Sequence, residues 1–339
     1  MSTARGLSGL DIGARSDTEI AKALPDDRRR QVLALGGGGF RGLYSALFLK
    51  HSEEHFKCKI RDRFALLTGT SIGALIAAGL AMGVSAADLA AKFLVHGPRI
   101  FKRRFLWTQI KRTFGAPYSA KALRAAVVAT IGEKSAALEL SQVKAPLAIC
   151  AVNYTHGGPQ TFLSQGIAGN DASRTTVLEA VLASAAAPTY FPPRRVGADT
   201  LIDGGLVANA PELVGLTEAY KHLKCSLDSL YVLAIGTAGR RQGAALTSID
   251  RPGTLSWMLR RRLFQTTLAA QEVLAATQCQ ALLGARYYRV DNEPAENQVA
   301  AIKDFDLTSQ EAIDTLASLA GQSWSAHRDV NAFRNFFVA

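Results

Sequence analysis

Twice near its start the chain runs from a short apolar stretch into a glycine corner and then into a helical pattern. Gln31-Val32-Leu33-Ala34-Leu35 meets Gly36-Gly37-Gly38-Gly39, and a helical pattern follows over Arg41 to His55. Phe64-Ala65-Leu66-Leu67-Thr68 then meets Gly69-Thr70-Ser71-Ile72-Gly73, followed by a helix rich in Ala and Leu. Strand, tight turn and helix in succession are the signature of right-handed βαβ units on a parallel sheet. Further strands are expected at Leu147 to Val152, Thr200 to Ile202 and Leu230 to Ile235. Helices are expected over Ala120 to Thr130, Thr175 to Ala185, Pro211 to His222, Leu255 to Leu283 and Ser309 to Phe333. The fold class is therefore α/β, with a mostly parallel central sheet between helical layers.

At 339 residues and 48% hydrophobic, the chain can bury a large core. Met1 to Arg30 is polar, lacks the continuous apolar stretch of a secretory signal, and reads as a flexible arm. No linker divides the remainder, so residues 31–339 are expected to form one domain with a helical C-terminal part. The longest apolar run, Ile72 to Val84, is too short to cross a hydrocarbon layer of ~30 Å as a helix. The cysteines, Cys58, Cys150, Cys225 and Cys279, lie far apart and form no CxxC pair, which argues against a zinc site and a disulfide framework and fits a cytoplasmic protein. The net charge of +11 favours anionic partners, whether phospholipid headgroups, nucleic acid or a phosphorylated small ligand.

Gly69-x-Ser71-x-Gly73 fits a nucleophile elbow, in which a serine on a strained strand-to-helix turn presents its hydroxyl above the sheet. Gly36 to Gly39 can aim consecutive amides into one concavity, where an oxyanion or phosphate would sit. Gly37 to Gly42 also spell GxGxxG, but a dinucleotide site wants an acid at the end of the second strand, where this chain has Gly69-Thr70-Ser71. A Walker A reading lacks the Gly-Lys-Ser/Thr. For the base, none of the histidines (His51, His55, His96, His156, His222, His327) has a distinctive strand-end setting, whereas Leu201-Ile202-Asp203-Gly204-Gly205 puts an acid at the end of an apolar strand. Asp203 is expected on the same rim as Ser71, with partial burial raising its basicity. Two other readings stay open. One is an α/β-hydrolase triad in which Asp203 orients His222 or His327; the other is a nucleotide-binding module without catalysis.

These motifs, in this order, resemble the patatin-like phospholipase family: Gly37-Gly38-Gly39-Phe40-Arg41-Gly42, then Gly69-Thr70-Ser71-Ile72-Gly73, then Asp203-Gly204-Gly205. Ser184-Ala185-Ala186-Ala187-Pro188 through Pro193, with Asn209 and Pro211, add to the likeness. The resemblance implies a three-layer α/β/α fold and a Ser71–Asp203 dyad that cleaves lipid esters through an acyl-enzyme, without a metal or catalytic cofactor. It further implies oxyanion donors at Gly37, Gly38 and Gly39, and a supporting role for Arg41, Gly42, Gly69, Gly73, Gly204 and Gly205. The substrate implied is membrane phospholipid, reached peripherally at the inner membrane, with no stable nucleic-acid partner. The layout is also similar to bacterial anti-phage effectors of this family that a cyclic oligonucleotide switches on.

Between Arg99 and Phe114 basic and apolar residues interleave with no acid. The segment suits a membrane-contacting lid, a pocket for an anionic activator, or a solvated helix. Arg260-Arg261-Arg262 reads as a solvated face, and Thr308-x-x-Glu311 as a capping box opening the last helix.

Overall fold

The structure, a computed structural model, describes residues 30–101, 117–224, 226–239 and 263–338. Its strands in chain order are β1 (Arg30–Leu35), β2 (Leu66–Thr70), β3 (Leu147–Asn153), β4 (Gly158–Leu163), β5 (Arg194–Val196), β6 (Asp199–Asp203), β7 (Leu230–Ile235) and β8 (Tyr287–Val290). They form one sheet in the order β5-β6-β3-β2-β1-β7-β8, with β4 paired to β3. β1 is the middle strand of the parallel part, flanked by β2 and β7, with β3 and β8 outside them.

Successive side chains of a strand face opposite ways, and here both faces are covered. Leu33 and Leu35 of β1, with Leu233 and Ile235 of β7, pack into one cluster; Val32, Ala34, Val232 and Ala234 pack into the other. The first cluster is closed by α1 (Gly42–Phe56), α2 (Ile72–Ala81), α3 (Ala86–Ile100), α4 (Ala120–Ile131), α5 (Val177–Ser184) and, later in the chain, α8 (Gln310–His327). The second is closed by α6 (Glu212–His222) and α7 (Leu263–Leu283) through Leu216, Ala219, Cys279 and Leu283. This is the three-layer α/β/α arrangement expected from the sequence. The apolar run from Ile72 is a core helix, buried from Gly73 to Ala81 because sheet and neighbouring helices enclose it.

Several expectations shift. Arg30, assigned to the arm, opens β1 and pairs with Leu230. The expected helix to Phe333 ends at His327, and a separate turn, Asn331–Arg334, folds Phe333 back onto Phe48 with ring centroids 5.5 Å apart. That helix is capped by Ser309, whose side chain accepts the N–H of Ala312, rather than by the Thr308/Glu311 box. Met1 to Arg29, residues 102–114 of the basic segment and the Arg260–Arg262 cluster lie outside the described residues.

The strand carrying Asp203 differs most from expectation, since β6 runs antiparallel to β3 rather than joining the parallel set. One edge of β3 is taken by β4 along Ala148 to Asn153, so β2 and β6 share the other edge end to end. Thr70 pairs with Cys150, and Asp203 with the next residue, Ala151. The C-terminal ends of β2 and β6 therefore meet head-on, which brings Asp203 to the end of the strand that feeds Ser71.

Candidate active site

Ser71 sits between β2 and α2 at φ 55° and ψ −120°, a backbone conformation that side-chain-bearing residues rarely adopt. It is held there from several directions. A Cβ on Gly73 would strike the carbonyl of Leu35, and one on Gly69 would strike Gly73 itself, so the elbow closes only with glycine at both positions. The N–H of Ser71 donates to Ser184 Oγ at 2.8 Å, and that hydroxyl donates to the Cys150 carbonyl at 2.5 Å. Thr70 Oγ1 donates to the Ala208 carbonyl at 2.5 Å, which ties the elbow to the loop after Asp203.

Ser71 Oγ donates to Asp203 Oδ2 at 2.7 Å, and the other carboxylate oxygen accepts the N–H of Gly205 at 2.7 Å. Asp203 is buried, 4% exposed, and burial pushes its pKa up to about 6 against the opposing pull of the Ser71 and Gly205 hydrogen bonds. It is thus a stronger base than a solvated aspartate and is still largely ionised at neutral pH. The first glycine corner faces the pair, since a Cβ built on Gly37 would stand 3.4 Å from Ser71 Cβ. Gly38, Gly39, Ser71 and Asp203 together line a cleft whose walls include Leu75, Phe93, Ile100, Leu123, Val127 and Val181. A hydroxyl, a basic carboxylate and a glycine corner thus open onto a predominantly apolar channel.

The patatin-like phospholipase family model matches residues 33–216, a span that includes both corners and Asp203. The chain belongs to this family. It is 37% identical to a cGAMP-activated phospholipase of Pseudomonas aeruginosa over 84% of this chain and 85% of that protein. It is 30% identical to a cGAMP-activated phospholipase of Escherichia coli over 93% of this chain and 94% of that one. A cUMP-AMP-activated phospholipase of Escherichia coli matches at 28% over 65% of this chain and 68% of the relative. Patatin-like phospholipases of this kind are carboxylic ester hydrolases, so the chain is an enzyme of that class.

In this patatin-like site the expected residues are brought together, and one of them, Gly37, is placed differently from expectation. The N–H of Gly37 donates to the Asn209 carbonyl at 2.9 Å, so this amide is engaged within the protein rather than presented to the cleft as the sequence reading expects. Gly38 and Gly39 are the members of the corner that line the cleft. Arg41 is buried behind them, with its guanidinium carbon 4.7 Å from the centroid of the Phe305 ring, which also lines the cleft. Burial lowers its pKa, while Glu272 and Asp291 oppose that shift. Gly42 opens α1 against Ile72, and Gly204 sends its N–H to the Ser184 carbonyl at 3.4 Å.

The histidine readings do not fit. His222 Nε2 lies 3.3 Å from Glu218, and His327 Nδ1 shares a 2.7 Å hydrogen bond with the Tyr288 hydroxyl, whereas the Asp203 oxygens are engaged by Ser71 and Gly205. Sequence reasoning did not find the roles of Ser184, Thr70 and Asn209. Each lies within a segment that carries the family likeness, but its partner is distant in the chain, and no local pattern names that partner.

Proposed function

We propose that the chain hydrolyses carboxylic ester bonds of membrane phospholipids with Ser71 as nucleophile and Asp203 as base. The 2.7 Å hydrogen bond between them, at the head of an apolar cleft, carries this reading. As Ser71 Oγ attacks the ester carbonyl, its proton passes to Asp203 Oδ2. The tetrahedral oxyanion is held by amides of the Gly38–Gly39 corner, each donor contributing a few kcal/mol. Asp203 then protonates the leaving alkoxide, leaving an acyl group on Ser71. The recovered carboxylate takes a proton from water for deacylation and returns it to Ser71 as the fatty acid leaves. The apolar walls suit the acyl chain, and no metal enters any step.

Activation by a cyclic oligonucleotide, within bacterial anti-phage defence, is the second part of the proposal, supported by relatives named for activation by cGAMP or cUMP-AMP. The substrate implies peripheral contact with a lipid surface at the inner membrane. Among the described residues no helix is long and apolar enough to cross a membrane. Purified protein is to be incubated with mixed phospholipid vesicles, with and without a panel of cyclic dinucleotides and trinucleotides. The expected result is release of free fatty acid that rises with one cyclic nucleotide. Lipid left intact under every condition would refute the substrate assignment, and release indifferent to all of the nucleotides would refute the activation.

A further inference from the structure

The glycine corner is held in place from a part of the chain beyond the family match. Gly37 is fixed through the carbonyl of Asn209, and Asn209 is buried at 4% exposure. The Asn209 side-chain amide donates to Glu272 Oε1 of α7, the next residue of the loop donates its N–H (Ala210) to Gln271 Oε1 at 3.2 Å, and Leu268 of α7 borders Gly205 and lines the cleft. Three side chains of one helix thus grip the loop that carries Asp203 at one end and supports Gly37 at the other.

Glu272 is itself anchored. Arg289 on β8 approaches it at 3.9 Å while binding Glu212 at 2.9 Å and Asp291 at 2.8 Å. Asp291 in turn accepts the N–H of Ala238 at 3.0 Å, on the segment where Thr237 Oγ1 donates to the Gly37 carbonyl at 3.1 Å. Both polar groups of the Gly37 backbone therefore lead back to one ionic cluster: its N–H through Asn209 and Glu272, its carbonyl through Thr237, Ala238 and Asp291. A half-buried acid on an otherwise uncharged helix is costly to retain unless its partners use it.

We infer that Glu272 is a positioning residue for the oxyanion corner: through Asn209 it holds Gly37, and with it the cleft-lining Gly38 and Gly39, in the geometry that stabilises the transition state. The position of α7 then sets the activity of the site. The inference rests on the Ser71–Asp203 reading above.

The test is a double-mutant cycle on the full-length chain with a short p-nitrophenyl ester, with active Ser71 counted by fluorophosphonate labelling. Glu272→Ala is expected to lower kcat about 10- to 100-fold with KM little changed, because the amides it positions bear on the oxyanion only in the transition state. Glu272→Gln, which keeps a carbonyl oxygen for Asn209, is expected to retain most of the turnover. Asn209→Ala is expected to resemble Glu272→Ala, and the double variant to be no worse than Asn209→Ala alone. Should Glu272→Ala not fold, Glu272→Met, which keeps the volume without an acceptor, takes its place. Undiminished kcat, a loss confined to KM, failure of Gln to rescue, or multiplicative losses in the double variant would each overturn the inference. Absence of wild-type labelling at Ser71 would instead refute the dyad, which separates the two failures.

Discussion

The backbone N–H of Ser71 and the hydroxyl of Ser184 are joined at 2.8 Å, and the same hydroxyl donates to the Cys150 carbonyl at 2.5 Å. The serine of α5 thus clamps the elbow to β3, across a separation of 113 residues in sequence. Removing that hydroxyl leaves a donor and an acceptor unpaired in a poorly hydrated place. Ser184→Ala is expected to cost about 1–3 kcal/mol of stability and to lower kcat, as the elbow loses its backbone anchor. Urea unfolding and ester turnover measure the two effects, and an unchanged unfolding midpoint would contradict the clamp.

Asp203 holds its proton more tightly in the folded chain, at about 6, than its ordinary value of 3.8. Between those values the folded state carries more proton than the unfolded one, so this group's contribution to stability falls as pH rises through the window and is wholly lost above it. Asparagine cannot ionise. Asp203→Asn is therefore expected to be the more stable protein at pH 8, by up to about 3 kcal/mol, with the advantage fading toward pH 4. Thermal unfolding of both proteins across that range tests the sign.

In the proposed mechanism the same carboxylate must be ionised to accept the Ser71 proton. Wild-type kcat/KM is expected to rise with pH through an apparent pKa of about 6 and then level off. A limb near the value of an ordinary aspartate, well below this, would mean that burial does not tune the base.

His222 and His327 have partners remote from the dyad, Glu218 and the Tyr288 hydroxyl. His222→Ala and His327→Ala are expected to leave turnover per labelled serine within about twofold of wild type, since neither touches reacting atoms. His327 also packs against Phe48 and Phe333, so its replacement should lower the melting temperature without changing the catalytic rate. A large loss of kcat in either variant would restore a histidine to the mechanism.

What the sequence disclosed and what it hid follow from how local each constraint is. The elbow was legible because glycines at 69 and 73 answer close backbone approaches between β2, α2 and the end of β1. Asp203 was legible as an acid closing an apolar strand, although its antiparallel approach was not, because strand direction depends on how the chain enters the sheet, here through the β5–β6 hairpin, and not on the strand's own residues. The short strands β5 (Arg-Arg-Val) and β8 (Tyr-Tyr-Arg-Val) lack the apolar runs that mark β1 and β7. The sequence reading assigned no helix to Ala86–Ile100, and Gly97-Pro98, residues disfavoured inside helices, lie in its last turn. The Asn209–Glu272 contact joins residues 63 apart, in segments with no shared pattern, so only three-dimensional proximity reveals it.

The most direct test of the dyad is fluorophosphonate labelling of wild type, Ser71→Ala and Asp203→Asn, mapped by peptide mass spectrometry, with fatty-acid release from phospholipid measured on the same samples. The account predicts a single adduct at Ser71 in the wild type and none in Ser71→Ala. In Asp203→Asn it predicts labelling and lipid hydrolysis both slowed by about 100-fold or more, the scale of losing a positioned general base. An adduct on another residue, or near wild-type hydrolysis without the Asp203 carboxylate, would contradict it.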